Sequence, residues 1–104
     1  MEVSAWKNGR ASNPRVVYGI RVGVENRAAY FPVERDVIVV EMDNEEHTFH
    51  LTDGFRRKCP EFRDSKGTAI RDWLARHRTT DWPRGRPPRF ELHVLGDGRF
   101  RLVA

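Results

Sequence analysis

The sequence has one cysteine, no long apolar run and no signal-peptide pattern, and each absence excludes a class of protein. Cys59 has no second cysteine with which to form an internal disulfide or a cysteine-rich zinc site. No apolar stretch approaches the roughly 20 residues that a helix needs to span a bilayer. Residues 1–10 lack the apolar segment of a signal peptide. These absences predict a cytoplasmic protein that does not contact membranes.

Motifs for catalysis and metal binding are missing as well. His47 and His50 lie three apart on a predicted strand, so they point to opposite faces and suit no shared metal ion. The acids of residues 36–54 lack calcium-loop spacing, and no lysine lies near them as in metal-dependent nucleases. Cys59 has no recognisable partner base, so we predict a small buried side chain beside Pro60. We therefore expect no enzyme activity, no metal and no cofactor.

The chain of 104 residues has the length of one domain, and its composition indicates a folded protein. Hydrophobic residues make up 38% and aromatic residues 11%, which is more than disordered chains carry. The net charge is +4, but residues 1–35 carry +3, residues 36–54 carry −6 and residues 55–104 carry +7. An acidic segment therefore lies between two basic ones.

Arginine dominates the basic residues, with sixteen of the nineteen. Its planar guanidinium donates paired hydrogen bonds that match phosphate groups and guanine edges, which the lysine ammonium does not. A GC-rich genome also raises the arginine content for coding reasons, so the count alone has two explanations. The clustering of the arginines favours a binding function.

Alternating apolar and polar residues predict most of the secondary structure as strands. The predicted strands are 16–24, 28–31, 36–42, 46–51, 89–95 and 99–103, with hairpin turns at 43–45 and 96–98. A tight turn is expected at 25–26 and a basic loop or one irregular turn at 55–66, where Pro60 opposes a continuous helix.

One helix is predicted over residues 68–78. Ile70, Trp73, Leu74 and His77 are spaced as one helical face, and Asp64, Ser65 or Thr68 is positioned to cap it. The elements together predict a mostly β, α+β fold. We expect an open pseudobarrel of six to seven strands joined as antiparallel hairpins, with one main helix, in a single domain over residues 1–104.

Two polar, basic loops form the candidate binding site. Asn and Arg side chains pair with base edges, whereas Lys and Ser side chains suit phosphate groups. The predicted DNA-binding residues are Lys7, Asn8, Arg10, Asn13 and Arg15 in the first loop and Arg56, Arg57, Lys58, Arg63 and Lys66 in the second. Arg84, Arg86 and Arg89, beside Pro87-Pro88, form a third candidate cluster. We predict a monomeric module that binds nucleic acid, specifically double-stranded DNA.

The acidic hairpin suggests a different function. Glu41, Asp43, Glu45 and Glu46 crowd residues 41–46, and such a surface suits a protein partner. In that interpretation the chain is a protein-interaction or regulatory domain, and the arginine excess only reflects composition. A solvated hairpin that keeps nucleic acid away from its face is a further interpretation.

Several short motifs point to a known family. They are Leu51 to Phe55, Trp73-Leu74, Trp82, Gly85, Phe90-Glu91-Leu92 and Gly98 to Leu102. In this order they resemble the B-three pseudobarrel DNA-binding domains of plant transcription factors and of some bacterial restriction endonucleases. The resemblance covers about residues 30–104, although Gly85-Arg86 stands where that family commonly has Gly-Asp. It implies a grip on the DNA major groove by two arms, matching 7–15 and 56–66.

Overall fold

The computed structural model describes all 104 residues, which form seven strands and three short helices. The strands are β1 (Glu2–Lys7), β2 (Tyr18–Arg21), β3 (Val37–Met42), β4 (Glu45–His50), β5 (Glu61–Arg63), β6 (Arg89–Gly96) and β7 (Arg99–Val103). The helices are α1 (Val24–Tyr30), α2 (Asp53–Arg57) and α3 (Ala69–His77). All strands belong to one sheet in the order β4-β3-β7-β6-β1-β2-β5.

The sheet curls into a nearly closed barrel. Its two edge strands are not hydrogen-bonded neighbours, but Phe49 of β4 and Phe62 of β5 pack with ring centroids 5.1 Å apart. Adjacent strands are antiparallel except β3 and β7, which run parallel with Val40 opposite Phe100. The predicted α+β pseudobarrel is confirmed, with one parallel strand pair where an all-antiparallel arrangement is expected.

Alternate strand residues fill the barrel, because successive side chains of a strand point to opposite faces. Val3 and Ala5 of β1 and Tyr18 and Ile20 of β2 point inward and are buried. Twenty buried hydrophobic residues form one continuous core. Apart from the buried Glu61, the charged side chains therefore remain on the outer face and in the loops.

Helix α3 closes one end of the barrel. Ile70, Trp73 and Leu74 are buried, as the helical spacing predicts, and the Trp73 ring packs edge-on against Phe90 with centroids 4.7 Å apart. His77, at the end of the same face, stacks on Trp73 but stays partly exposed. The predicted helix is thus confirmed and forms a plug.

Asp64 is the residue that caps α3. Its carboxylate accepts hydrogen bonds from the backbone N–H groups of Ile70 and Arg71. Burial raises the pKa of Asp64, and this effect outweighs the two hydrogen bonds, which act in the opposite direction. Asp64 is therefore fixed in position by the start of the helix.

The opposite end of the barrel is closed by aromatic rings. Phe31 stacks on Phe100 with centroids 4.9 Å apart and meets Phe55 edge-on at 5.3 Å. Arg27 of α1 donates hydrogen bonds to the backbone carbonyls of Phe55 and Arg57. Helix α1 is thereby tied to α2, although α1 itself buries no side chain.

The predicted turn at 25–26 and strand at 28–31 are wrong, since these residues belong to α1. A surface helix without buried residues shows no apolar periodicity, so the pattern misleads. Its start depends on Gly23, whose φ of 86° is unfavourable for other residues. The Asn26 amide then donates hydrogen bonds to the carbonyls of Glu2 and Val22, which anchors the helix to the sheet.

The segment 55–66 is more ordered than the predicted loop. The Thr52 hydroxyl accepts a hydrogen bond from the N–H of Phe55 and thereby starts α2. After Pro60 the chain forms β5, which pairs with β2 so that Phe62 lies opposite Ile20. Strand β1 is also absent from the prediction, because its apolar face consists only of Val3 and Ala5.

Candidate nucleic-acid interface

Three loops meet at the barrel end that α3 covers: residues 8–17, 64–68 and 78–88, hereafter the loop end. The Tyr18 hydroxyl donates a hydrogen bond of 2.7 Å to the carbonyl of Thr80. The N–H of Asp64 donates to the carbonyl of Tyr18 at 2.9 Å. Tyr18 thus connects the start of β2 to both other loops.

The first predicted loop is shaped by its asparagines. The Asn8 side-chain oxygen accepts a hydrogen bond of 2.7 Å from the N–H of Val17, and that of Asn13 accepts one of 2.9 Å from Arg15. Arg10 and Arg15 are exposed and have no carboxylate partner. The asparagine oxygens therefore hold the loop, while the two arginines supply its free charge.

Lys7 is engaged within the fold. Its ammonium pairs with Asp81 at 3.0 Å and lies 4.6 Å from the centroid of the Trp82 ring. Only 13% of its side chain is exposed. Lys7 therefore links β1 to the 78–88 connector rather than projecting freely.

The second predicted group is divided between the two ends of β5. Arg63 lies opposite Gly19, and Lys66 follows in the 64–68 loop, so both belong to the loop end. Arg57 and Lys58 precede β5 and lie at the other end of the barrel, beside α1. The structure thus brings part of this group next to the first loop and separates the rest by roughly the length of a short strand, about 10 Å.

Arg56 is a structural residue. Its guanidinium pairs with Asp36 and with Asp53 and donates a hydrogen bond to the carbonyl of Arg35. Only 28% of its side chain is exposed. Arg56 therefore ties α2 to the start of β3 and has little capacity left for a partner.

The acidic hairpin is largely neutralised by basic residues of the C-terminal half. Arg101 pairs with Glu41 at 3.2 Å, and Arg99 pairs with Glu46. Arg76 of α3 pairs with Asp43 at 2.9 Å. These ion pairs join the β3–β4 hairpin to β7 and to α3. The acidic residues of the hairpin therefore help to hold the barrel together.

Asp43 connects the hairpin turn to the end of α3, and its contacts predict a pH dependence. Partial burial raises the pKa of Asp43, but hydrogen bonds from His77 and Arg76 outweigh it and hold the pKa below its ordinary value. A carboxylate whose pKa is lower in the folded state stabilises the fold when the pH lies above its pKa in the unfolded state. This stabilisation is lost as the pH falls through its pKa in the folded state.

We expect Asp43→Asn to be less stable than the natural chain at pH 7, by at most about 1 kcal/mol because the pair is partly exposed. Asparagine tolerates the φ of 52° at this position, so the turn itself is preserved. Thermal unfolding followed from pH 7 down to pH 2 measures the difference. The two curves should converge below about pH 4, and a constant difference throughout would contradict this role of Asp43.

The basic residues without a carboxylate partner concentrate at the loop end. They are Arg10, Arg15, Arg63, Lys66, Arg71, Arg78, Arg84 and Arg86. Among the acids in the same region Asp81 is paired with Lys7, which leaves Asp64 and Asp72 against these eight basic residues. The loop end therefore carries a concentrated excess of positive charge.

Five residues at this end are absent from the sequence-based site. Arg71 lies at the start of α3, and Arg78 lies just past its end. Trp6, Trp82 and Arg21 line a groove between β1 and the connector.

The sequence pattern that could have indicated Trp6 is the alternation of inward and outward side chains along β1. Because Val3 and Ala5 point into the core, Trp6 points outward. Trp6 is partly exposed, and an accessible tryptophan beside arginines is a common feature of nucleic-acid surfaces.

Cys59 is exposed, so the prediction of a small buried cysteine is wrong. The neighbouring Pro60 and Phe62 are buried instead, because β5 begins immediately after the cysteine. No group of three or more His, Cys, Asp or Glu side chains is arranged to hold a metal ion. None of the three helices is long and apolar enough to cross a membrane.

Comparison of the chain with protein-family models, curated proteins and solved structures found no match.

Proposed function

We propose that the chain is a non-catalytic module that binds double-stranded DNA, with the loop end as its main contact surface. The observation that carries this proposal is the gathering of unpaired basic residues where three loops meet. Phosphate contacts by Arg and Lys supply most of the affinity of DNA-binding proteins. A basic side chain that already forms an ion pair with a carboxylate contributes less to such contacts. Most residues of these loops are exposed, and we expect them to enter the major groove.

The fold supports the same proposal. A pseudobarrel with basic loops is the architecture that the resemblance to B-three domains implies, and loop 8–17 corresponds to the first of the two arms. Arg57 and Lys58, at the far end of β5, are exposed and unpaired and form a second contact in this proposal. The contact surface then extends from the loop end along strands β2 and β5. The cytoplasmic location of the protein stays a prediction.

The alternative, a protein-interaction domain that uses residues 41–46, has less support. Glu41 and Glu46 are paired with Arg101 and Arg99, and Asp43 is held by two residues of α3. A protein partner would have to displace these intramolecular ion pairs. Of the four hairpin acids only Glu45 lacks an arginine partner, which leaves little free negative charge for a partner protein.

The salt dependence of binding tests the proposal. We expect the logarithm of the association constant to fall linearly with the logarithm of salt concentration, with a slope of about −5 for five to six phosphate contacts. Fluorescence anisotropy of a labelled duplex, and of one of its strands alone, measures this at several salt concentrations. Absence of binding at low salt, or tighter binding of the single strand throughout, would contradict the proposal.

A further inference from the structure

The groove at the loop end differs from the rest of the basic surface because it contains two tryptophans. It lies between strand β1, the 8–17 loop and the 78–88 connector and has a volume of about 810 Å³. Trp6, Lys7, Arg10, Arg21, Trp82 and Arg84 line it, with Asp81 as the sole acid. A volume of this size is typical of pockets for small ligands and is too small for a double helix.

Both indole rings are held in fixed positions. Gly19 has no side chain, and a Cβ there would meet the Trp6 ring at 3.0 Å, so the ring lies close against the sheet. The Arg63 guanidinium lies 5.1 Å from the centroid of that ring. Trp82 packs edge-on against the buried Tyr18, with centroids 6.2 Å apart. The rings are therefore ordered before any ligand arrives.

The charges of the groove suit a phosphate next to an aromatic ring. Asp81 is neutralised by Lys7, which leaves Arg10 and Arg84 unpaired. Arg21 lies beside the buried Glu61, at 3.8 Å between Nε and Oε2, and half of its side chain remains exposed. Ordered aromatic rings and unpaired arginines together match a nucleotide, whose base stacks while its phosphate pairs with a cation.

We propose that this groove holds one unpaired nucleotide of the bound DNA, with its base stacked against Trp6 or Trp82. The inference rests on the proposed DNA binding and adds a preference to it. A base inside a paired duplex must first be unstacked and unpaired, and this costs least where the base is already bulged or mismatched. Duplexes with such a base are therefore the preferred ligands.

Two labelled duplexes of identical sequence test the preference, one fully paired and the other carrying a single bulged thymine. Stacking of one base predicts roughly tenfold tighter binding of the bulged duplex. In the double variant Trp6→Leu/Trp82→Leu, which removes both rings that line the groove, the ratio of the two affinities should fall towards one. Equal affinities of the natural protein for both duplexes overturn the inference and leave the proposed function standing, whereas binding to neither overturns the proposed function itself.

A second measurement avoids dependence on a variant. Permanganate oxidises exposed, unstacked thymines, so the bulged thymine should react in free DNA and become protected in the saturated complex. The intrinsic fluorescence provides a parallel signal, because Trp73 is buried and changes on binding therefore report on Trp6 and Trp82. An unprotected thymine in the saturated complex overturns the inference.

Discussion

Replacing both Arg10 and Arg15 by alanine should weaken binding of the chain to duplex DNA about 50-fold at 0.1 M salt. Each arginine is exposed, unpaired and located on the loop whose backbone is held by Asn8 and Asn13. Loss of two phosphate contacts should also reduce the magnitude of the salt slope by about 2. Fluorescence anisotropy over a range of salt concentrations measures both quantities.

A matched control separates local contacts from net charge. The double variant Arg99→Ala/Arg101→Ala loses the same two positive charges from the outer face of β7, where both are paired with glutamates. It should bind within a few-fold of the natural chain. Equal losses in both double variants would mean that affinity follows total charge and would contradict a localised loop-end site. A third variant, Arg57→Ala/Lys58→Ala, measures the second contact.

Replacing Trp73 by alanine should reduce the free energy of unfolding by about 3–5 kcal/mol. The side chain is almost completely buried, packs edge-on against Phe90 and forms the centre of the α3 plug. A loss of this size is a large part of the roughly 5–15 kcal/mol that stabilises small domains. Urea denaturation followed by circular dichroism provides the measurement.

Trp73→Phe is the control for this prediction. The indole Nε1 of Trp73 is buried and has no hydrogen-bond partner, so removing that N–H frees the fold from an unsatisfied donor. We expect the phenylalanine variant to lose less than about 1.5 kcal/mol, because an aromatic ring still fills the site. An alanine variant as stable as the phenylalanine variant would show that α3 does not act as a plug.

The sequence predicts the elements that carry a strong periodic signal. Strands β3, β6 and β7 and helix α3 each bury one face of regularly spaced apolar residues, and each appears close to its predicted position. Strand β4 buries only Phe49, and its hairpin turn with β3 is the signal that locates it. Helix α1 buries nothing and β5 has only three residues, so neither leaves a period to detect. The parallel pairing of β3 with β7 depends on closure of the whole sheet, which no local pattern encodes.

The residues of the candidate site also fall into those that the sequence predicts and those that it does not. The charge pattern indicates which loops are basic, and Arg10 and Arg15 are exposed as an interface requires. It does not distinguish a free arginine from one such as Arg56, which two carboxylates and a carbonyl hold in place. Asp53 is only three positions from Arg56, but Asp36 and the carbonyl of Arg35 are about 20 positions away, and only the folded chain brings them together.

The pairing of β1 with β6 also constrains how this protein assembles. Glu2 lies opposite Glu91, and Val3 lies opposite Phe90, so one of the two neighbours of the first strand comes almost ninety residues later, whereas the other, β2, follows it directly. The chain thus has a high contact order, since closing so long a loop costs conformational entropy before any contact offsets it. During synthesis β1 can pair with β2 as soon as Arg21 has emerged, but its other edge stays unpaired until β6 follows, and the sheet closes only after the last hairpin has emerged.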